Sequence, residues 1–258
     1  MRILLIRHGD PDYDHDTLTE KGRREAALLA QAAPRMHIDD CYVSPLGRAR
    51  DTASYSLKAM GKEAKTLNWL TEFPAAVDLN LSEELARAYS DADKKDSLYE
   101  ARNVIWDLMP SYWAQRAEYM DPAQWKQSLV ARCGDAAPVY DRVCREFDSL
   151  LETYGYERDN CCYRVRRENT TTIACYCHFG IICALLSHLW NMSPFILWHG
   201  VALAPTSVTE IVSEERQQGI ASFRALRVGD ISHLYAGQEP PSFAARFCEV
   251  YSNKDQRH

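Results

Sequence analysis

The feature that most constrains the fold of this chain is the run Ile3-Leu4-Leu5-Ile6, which stops abruptly at Arg7-His8-Gly9-Asp10. Four consecutive aliphatic residues bounded by a Gly-Asp-Pro turn signal suit an interior strand of a parallel sheet. Burial on both faces removes the need for in–out alternation. Arg7 and His8 then stand at the carboxyl end of that strand. In open α/β sheets the loops diverge at this edge and leave a crevice for ligands. A planar guanidinium there suits a phosphate or carboxylate, and an imidazole can be a neutral nucleophile near pH 7.

The rest of the chain alternates strands with helices at its two ends. After a polar loop over 11–17, Thr19 caps a helix in which Ala26, Leu29, Ala30 and Ala33 recur until Pro34. Asp40-Cys41-Tyr42-Val43 reads as a second strand running into Ser44-Pro45-Leu46-Gly47-Arg48, where a proline in the first turn marks a helix start. From there Arg48 can point back to the sheet edge beside Arg7 and His8, whereas Arg50 lies elsewhere on the helix. Lys65-Thr66-Leu67 reads as a third strand, followed by a loop carrying Glu72. The core resumes at Thr170 to Cys177, then His178-Phe179-Gly180 and an apolar helix to Trp190. Strand, histidine, helix is an order that aims backbone N–H groups and the positive end of a helix dipole at an anion. Ser207–Val212 and Ser222–Val228 alternate as two antiparallel strands joined by a polar turn over 214–219, and the tail after Pro240 reads as surface.

Between these ends, from Ala75 to Arg164, the character is helical and aromatic. Ser97 to Glu100 has a capping-box pattern, and Asp121-Pro122 marks another helix start. Val139, Tyr140, Val143, Phe147, Leu150, Leu151 and Tyr154 form a stripe closed by Gly155. At ~90 residues the segment is too long for a structureless loop and reads as an inserted helical cap.

Four separated stretches resemble the histidine phosphatase superfamily, the phosphoglycerate-mutase-like proteins. Arg7-His8-Gly9 is similar to its opening R-H-G, and Leu18-Thr19-Glu20-Lys21-Gly22 to its first helix. Ser44 to Thr52 is similar to its S-x-L-x-R-A-x-x-T, and Cys177-His178-Phe179-Gly180 stands where it usually reads S-H-G-G. The resemblance implies an α/β fold with a mostly parallel central sheet and helices on both faces, in three layers. One domain would span 1–258, with core segments 1–74 and 165–258 and the helical cap insertion over 75–164. It also implies a metal-independent phosphomonoester hydrolase working through a phosphohistidine. His8 would be the nucleophile and Glu72 the general acid. Arg7, Arg48, His178 and the backbone N–H of Phe179 would hold the phosphoryl oxygens, with His178 also in the catalytic set. Two other readings stay in view: a mutase of the phosphoglycerate type, and a non-catalytic module that binds a phosphate ligand. Glu72-Phe73-Pro74-Ala75 stands where the mutases carry Glu-Arg-His-Tyr, which counts against the first, and no catalytic position is substituted, which counts against the second.

Bulk properties narrow the partners. A formal net charge of -6 argues against nucleic acid or an anionic membrane as the main partner, so a small phosphomonoester is expected. No apolar run approaches the ~20 residues of a membrane span, and the chain opens on a strand rather than a leader. A cytoplasmic protein is the expectation. Its nine cysteines then read as free thiols, since neither Cys175/Cys177 nor Cys161-Cys162 has C-x-x-C spacing. No metal or cofactor is called for, because arginines carry the charge a metal would neutralise. Asp10 reads as a loop-orienting residue, and His15, His37, His188, His199, His233 and His258, which share no ligand spacing, read as surface or packing residues.

Overall fold

A computed structural model describes residues 1–89, 103–244, 249–250 and 252–253. Its chain divides into two compact units, Met1–Glu72 with Asp148–Ile182 and Ala202–His258, and Phe73–Phe147 with Cys183–Val201.

The first unit holds one eight-stranded sheet. Its strands are β1 (Arg2–Arg7), β2 (Asp40–Val43), β3 (Ala64–Thr66), β4 (Tyr156–Asp159), β5 (Cys162–Val165), β6 (Thr172–Cys177), β7 (Val208–Gln217) and β8 (Ile220–Asp230). They lie in the order β3-β2-β6-β1-β7-β8-β5-β4. The half formed by β3, β2, β6 and β1 is parallel. From β1 outward through β7, β8, β5 and β4 every pairing is antiparallel. The sheet is therefore mixed. Its parallel half has the helical crossovers that parallel pairing requires, and two hairpins build the other half.

One face buries Leu4, Ile6, Cys41, Val43, Ala174, Tyr176 and Val208. Against them lie Leu29 of α1 (Glu20–Ala32) and Ala49 and Ala53 of α2 (Gly47–Met60). The intervening residues Ile3, Leu5, Ile173 and Cys175 are equally inaccessible to solvent, so the second face is covered too. This double burial is what the unalternated run Ile3–Ile6 encodes. The hairpin of β7 and β8 forms where the alternation indicates, but its strands run further. The turn shrinks to Gln218-Gly219, with Gly219 at φ +79. The hairpin of β4 and β5 escapes a pattern reading because Glu157, Arg158, Asp159 and Arg164 crowd four-residue strands with charge.

The second unit has an aromatic core. It takes most of α3 (Ala136–Thr153), the last two turns of α4 (Phe179–Trp190) and all of α5 (Pro194–Gly200), which Ser193 caps by accepting from Phe195 N. Trp125, inaccessible to solvent, meets the Tyr140 ring edge-on at 5.2 Å, and Tyr119 meets Phe195 at 4.9 Å. Such edge-to-face contacts add to the large apolar area each ring buries. Val139, Tyr140, Val143, Phe147 and Leu151 of the stripe are the buried side of α3, Leu150 is half-buried, and the buried Tyr154 follows the helix. Asp121 starts only a 3₁₀ turn (Gln124–Gln127), its Oδ1 accepting from Ala123 N and Gln124 N at 2.8 Å each. The Ser97–Glu100 pattern lies outside the described residues. Residues 148–164, read from the sequence as the end of the cap, complete α3 and form β4 and β5 with the first unit, while 183–201 join the second.

The loop after β1 rests directly on α1. Thr19 N donates to Asp10 O at 3.0 Å, and a Cβ on Gly22 would lie 2.2 Å from that same oxygen. Gly22→Ala is therefore expected to destabilise the protein by about 2–3 kcal/mol, as overpacking at a rigid backbone contact does. Urea denaturation checks this, with a lowered midpoint at unchanged m-value as the outcome.

Candidate active site

The site is set by adjacency in the sheet. β1 and β6 pair in parallel with Arg7 opposite Cys177, so His8 and His178 leave neighbouring strand ends together. Their ring centroids lie 5.0 Å apart, the planes inclined by 57°. The peptide groups around His8 are fully committed. His8 N donates to Cys177 O at 3.0 Å, Thr206 N donates to His8 O at 3.1 Å, and Gly9 N donates to Thr52 Oγ1 at 2.9 Å. Thr52 in turn donates to Arg48 O at 2.8 Å, which ties the loop to α2.

Hydrogen bonding fixes the His8 tautomer. His8 Nδ1 lies 2.7 Å from Gly9 O, and a carbonyl only accepts, so Nδ1 carries the proton and Nε2 the lone pair of the neutral ring. His178 Nε2 lies 2.7 Å from Ser44 Oγ. His178 Nδ1 is buried and has no partner among the described residues, and it carries the ring proton if Ser44 donates to Nε2. Both rings are held neutral: burial pushes each well below the usual value of 6.5, and the charges of Arg7 and Arg48 push in the same direction.

Arg7 is 2% exposed and donates through Nη1 to Leu203 O and to Ala244 O. Its guanidinium carbon is 6.0 Å from the centroid of the Phe179 ring. Arg48, in the first turn of α2, donates through Nη1 to Asp16 Oδ1 at 2.6 Å. Phe179 opens α4, and Glu72 Oε1 accepts from Ile181 N at 3.2 Å in the same first turn. The Glu72 charge also contributes, after burial and Cys175, to pushing the Cys177 thiol well above its usual range. Arg7, His8, Arg48, Glu72, His178 and Phe179 thus all lie in the first unit, around the carboxyl ends of β1 and β6 and the starts of α2 and α4.

Several supporting residues carry no signal in the sequence. His233, read as a surface or packing residue, is 7% exposed and lies 2.9 Å through Nε2 from Thr206 Oγ1. Burial lowers its pKa to about 4. Thr206 donates to Pro205 O at 2.7 Å, so it accepts from His233, and it holds the left-handed backbone (φ 58) that presents its N–H to His8 O. The tail after Pro240 is not all surface: Ser242 is 7% exposed, and its N–H donates to Glu25 Oε1 at 3.0 Å while its hydroxyl donates to Asp10. Glu25 Oε2 accepts from Asp10 N at 3.0 Å, and Thr19 Oγ1 donates to the Asp10 carboxylate at 2.7 Å. Burial raises Glu25 to about 7. The available clue was an acid at a core position of α1, one residue before Ala26. Among the described residues, no group of three or more His, Cys, Asp or Glu side chains is placed to hold a metal ion.

A sheet edge that gathers two neutral imidazoles, a guanidinium group at a strand end and another at a helix start has the chemistry to receive an oxyanion. A sequence profile of the histidine phosphatase superfamily (branch 1) matches residues 3–102. Phosphoserine phosphatase 1 of Hydrogenobacter thermophilus is 23% identical over 202 residues, which cover 70% of this chain and 95% of that protein. A 2,3-bisphosphoglycerate-dependent phosphoglycerate mutase of Thermoplasma acidophilum is 35% identical over 79 residues, 27% of this chain and 40% of that one. The crystal structure of phosphoserine phosphatase from Entamoeba histolytica, in complex with 3-phosphoglyceric acid, matches the fold with a TM-score of 0.54 at 19% identity, over 90% of this chain and 98% of that chain. Residues 3–102 are thus similar to the histidine phosphatase superfamily, and the fold over most of the chain is similar to that of a phosphoserine phosphatase.

The state of the two rings generates a pH expectation. Unfolded, each imidazole takes up a proton near pH 6.5; folded, only well below that. Their contribution to stability is therefore complete above pH 6.5 and is lost progressively as the pH falls from there towards the much lower folded pKa values. Glu25 works in the opposite sense between its ordinary 4.5 and about 7, so ring resonances are a cleaner measure than global stability. In NMR titration of the ligand-free protein, His8 and His178 are expected to stay neutral at pH 6.5 while exposed His15 is more than half protonated, its pKa raised by the hydrogen bond to Asp12.

Proposed function

We propose that the protein is a metal-independent phosphomonoester hydrolase that acts on a small phosphorylated metabolite through a phosphohistidine at His8. The observation that carries this reading is the fixed His8 tautomer: Nδ1–H is spent on Gly9 O and the ring is kept neutral, so Nε2 holds a free lone pair. That atom attacks phosphorus and the ester P–O bond breaks. Arg7, Arg48, His178 Nδ1–H and the Phe179 N–H at the start of α4 stabilise the equatorial oxygens, where charge gathers in the transition state. Glu72 gives its proton to the departing alkoxide and then takes one from the attacking water. Cleavage of the P–N bond releases inorganic phosphate and restores neutral His8. The two guanidinium groups supply the positive charge that a metal supplies in other phosphatases.

Hydrolysis is favoured over mutase chemistry by the stretch Glu72-Phe73-Pro74-Ala75, which replaces the Glu-Arg-His-Tyr of the mutases. The names of the relatives make phosphoserine the first substrate to test, with 3-phosphoglycerate beside it. The eight described cysteines are free thiols, which suits the reducing cytoplasm, and no described helix is long and apolar enough to cross a membrane.

Rapid quenching with substrate followed by mass spectrometry under alkaline conditions, which preserve phosphohistidine, is expected to place the phosphoryl group on His8. His8→Ala should abolish turnover. Phosphate found reproducibly on His178 instead would reverse the two roles.

If Glu72 protonates the leaving oxygen, Glu72→Gln should slow the first step with alkyl phosphates by ~10²–10⁴-fold. It should slow p-nitrophenyl phosphate far less, because that leaving group needs little protonation. Single-turnover measurements on both esters decide the matter, and equal losses would remove Glu72 from the role.

A further inference from the structure

We propose that Asp16, which belongs to none of the motifs, is a positioning residue that holds Arg48 ready for the phosphoryl group. The inference rests on the phosphatase reading of the same site.

Asp16 lies in the turn of a two-stranded ribbon that pairs Pro11–Asp12 with Thr17–Leu18, in left-handed backbone at φ 47. From there its carboxylate crosses to α2. Oδ2 accepts from Gly47 N at 2.6 Å and Oδ1 accepts from Arg48 Nη1 at 2.6 Å. Helix α2 has no side-chain cap of its own, since Leu46 occupies the N-cap position, so Asp16 supplies one from a distant segment. The approach is tight, because a Cβ on Gly47 would lie 2.0 Å from Asp16 O. Glycine at 47 therefore allows the ribbon to seat against the helix, and the seated ribbon brings the carboxylate to the arginine. One turn further along α2, Thr52 donates to Arg48 O at 2.8 Å, so the arginine is held at both backbone and head.

The orientation this produces is functional. Asp16 occupies Nη1 alone. Arg48 Nε is buried and has no hydrogen-bond partner among the described residues, which leaves the Nε side of the fork for incoming oxygens. A guanidinium turned in this way loses little rotational freedom when the phosphoryl group arrives. Tyr13 in the same ribbon lies under the head, its ring centroid 5.4 Å from the guanidinium carbon, and limits swing in that direction.

A purely structural role for Asp16, as a helix cap, predicts something different. Asp16→Asn retains an acceptor oxygen for Gly47 N–H but gives up the charged grip on Arg48. We expect this variant to keep a thermal midpoint close to that of the wild type while kcat falls by up to about 10²-fold. Inhibition by orthovanadate, which mimics the five-coordinate transition state, should weaken in step, and inhibition by inorganic phosphate should change far less. Combined with Arg48→Ala, the losses should not add, because Asp16 acts through Arg48. Wild-type kcat and orthovanadate inhibition in Asp16→Asn, or losses that multiply with those of Arg48→Ala, would overturn the proposal. A wild-type chain that hydrolyses no phosphomonoester defeats the phosphatase reading and not this one. Calorimetric binding of orthovanadate then decides, and an unchanged Kd in Asp16→Asn refutes the positioning role.

Discussion

The pairing of β1 with β6 is the constraint on which the site depends. Because the strands are parallel and in a register that sets Arg7 beside Cys177, two residues that are 170 positions apart in the chain leave the sheet side by side, and both are histidines. A parallel pair requires a crossover rather than a hairpin, and both faces of these strands are covered. The burial that stabilises the sheet thus also desolvates the two rings. Desolvation disfavours imidazolium, so the arrangement that builds the core also keeps the proposed nucleophile unprotonated.

Much of this was legible in the sequence. The run Ile3–Ile6 states that its strand is buried on both faces, Ser44-Pro45 marks the start of α2 and so the height of Arg48, and Thr170–Cys177 repeats the strand–histidine–helix order. The alternating segments beyond residue 206 describe a hairpin. The features that escaped reading lack a period or act through the backbone. The strands β4 and β5 are four residues long and highly charged. The Asp121 signal specifies a cap but not the length or winding of the helix it starts, so a 3₁₀ turn forms where a helix was expected. The aromatic residues of 73–147 could have been core or exposed wall, and hydropathy does not separate these. Contacts such as Trp125 on Tyr140 show core.

The supporting residues were illegible for a different reason. Thr206, His233, Glu25 and Ser242 act at one remove, through hydrogen bonds to the loop after β1 or to one another, and no spacing in the chain records a contact such as His233 to Thr206. Their types still have a physical logic once placed. Two backbone N–H groups, of Asp10 and Ser242, converge on one buried point, and a carboxylate offers two acceptor oxygens where an amide offers one. Glu25 meets that need despite the desolvation that raises its pKa to about 7.

The two arginines have different hydrogen-bond partners at the site. Arg7 donates through Nη1 to the carbonyls of Leu203 and Ala244, which carry no net charge of their own. Arg48 is held by the Asp16 carboxylate, which does. The cation with carbonyl partners is the first-ranked charge in lowering His8, and the carboxylate-paired one comes after it. A chain with net charge -6 therefore keeps a local positive field by placing a nearly inaccessible guanidinium among backbone dipoles, at a cost in desolvation. On the proposed reading, a bound phosphoryl dianion would add counter-charge that these carbonyls do not supply. Arg48, already paired, has less charge to lend and more direction to give. On the proposed reading, Arg7 would serve mainly to attract the phosphoryl group and Arg48 mainly to align it.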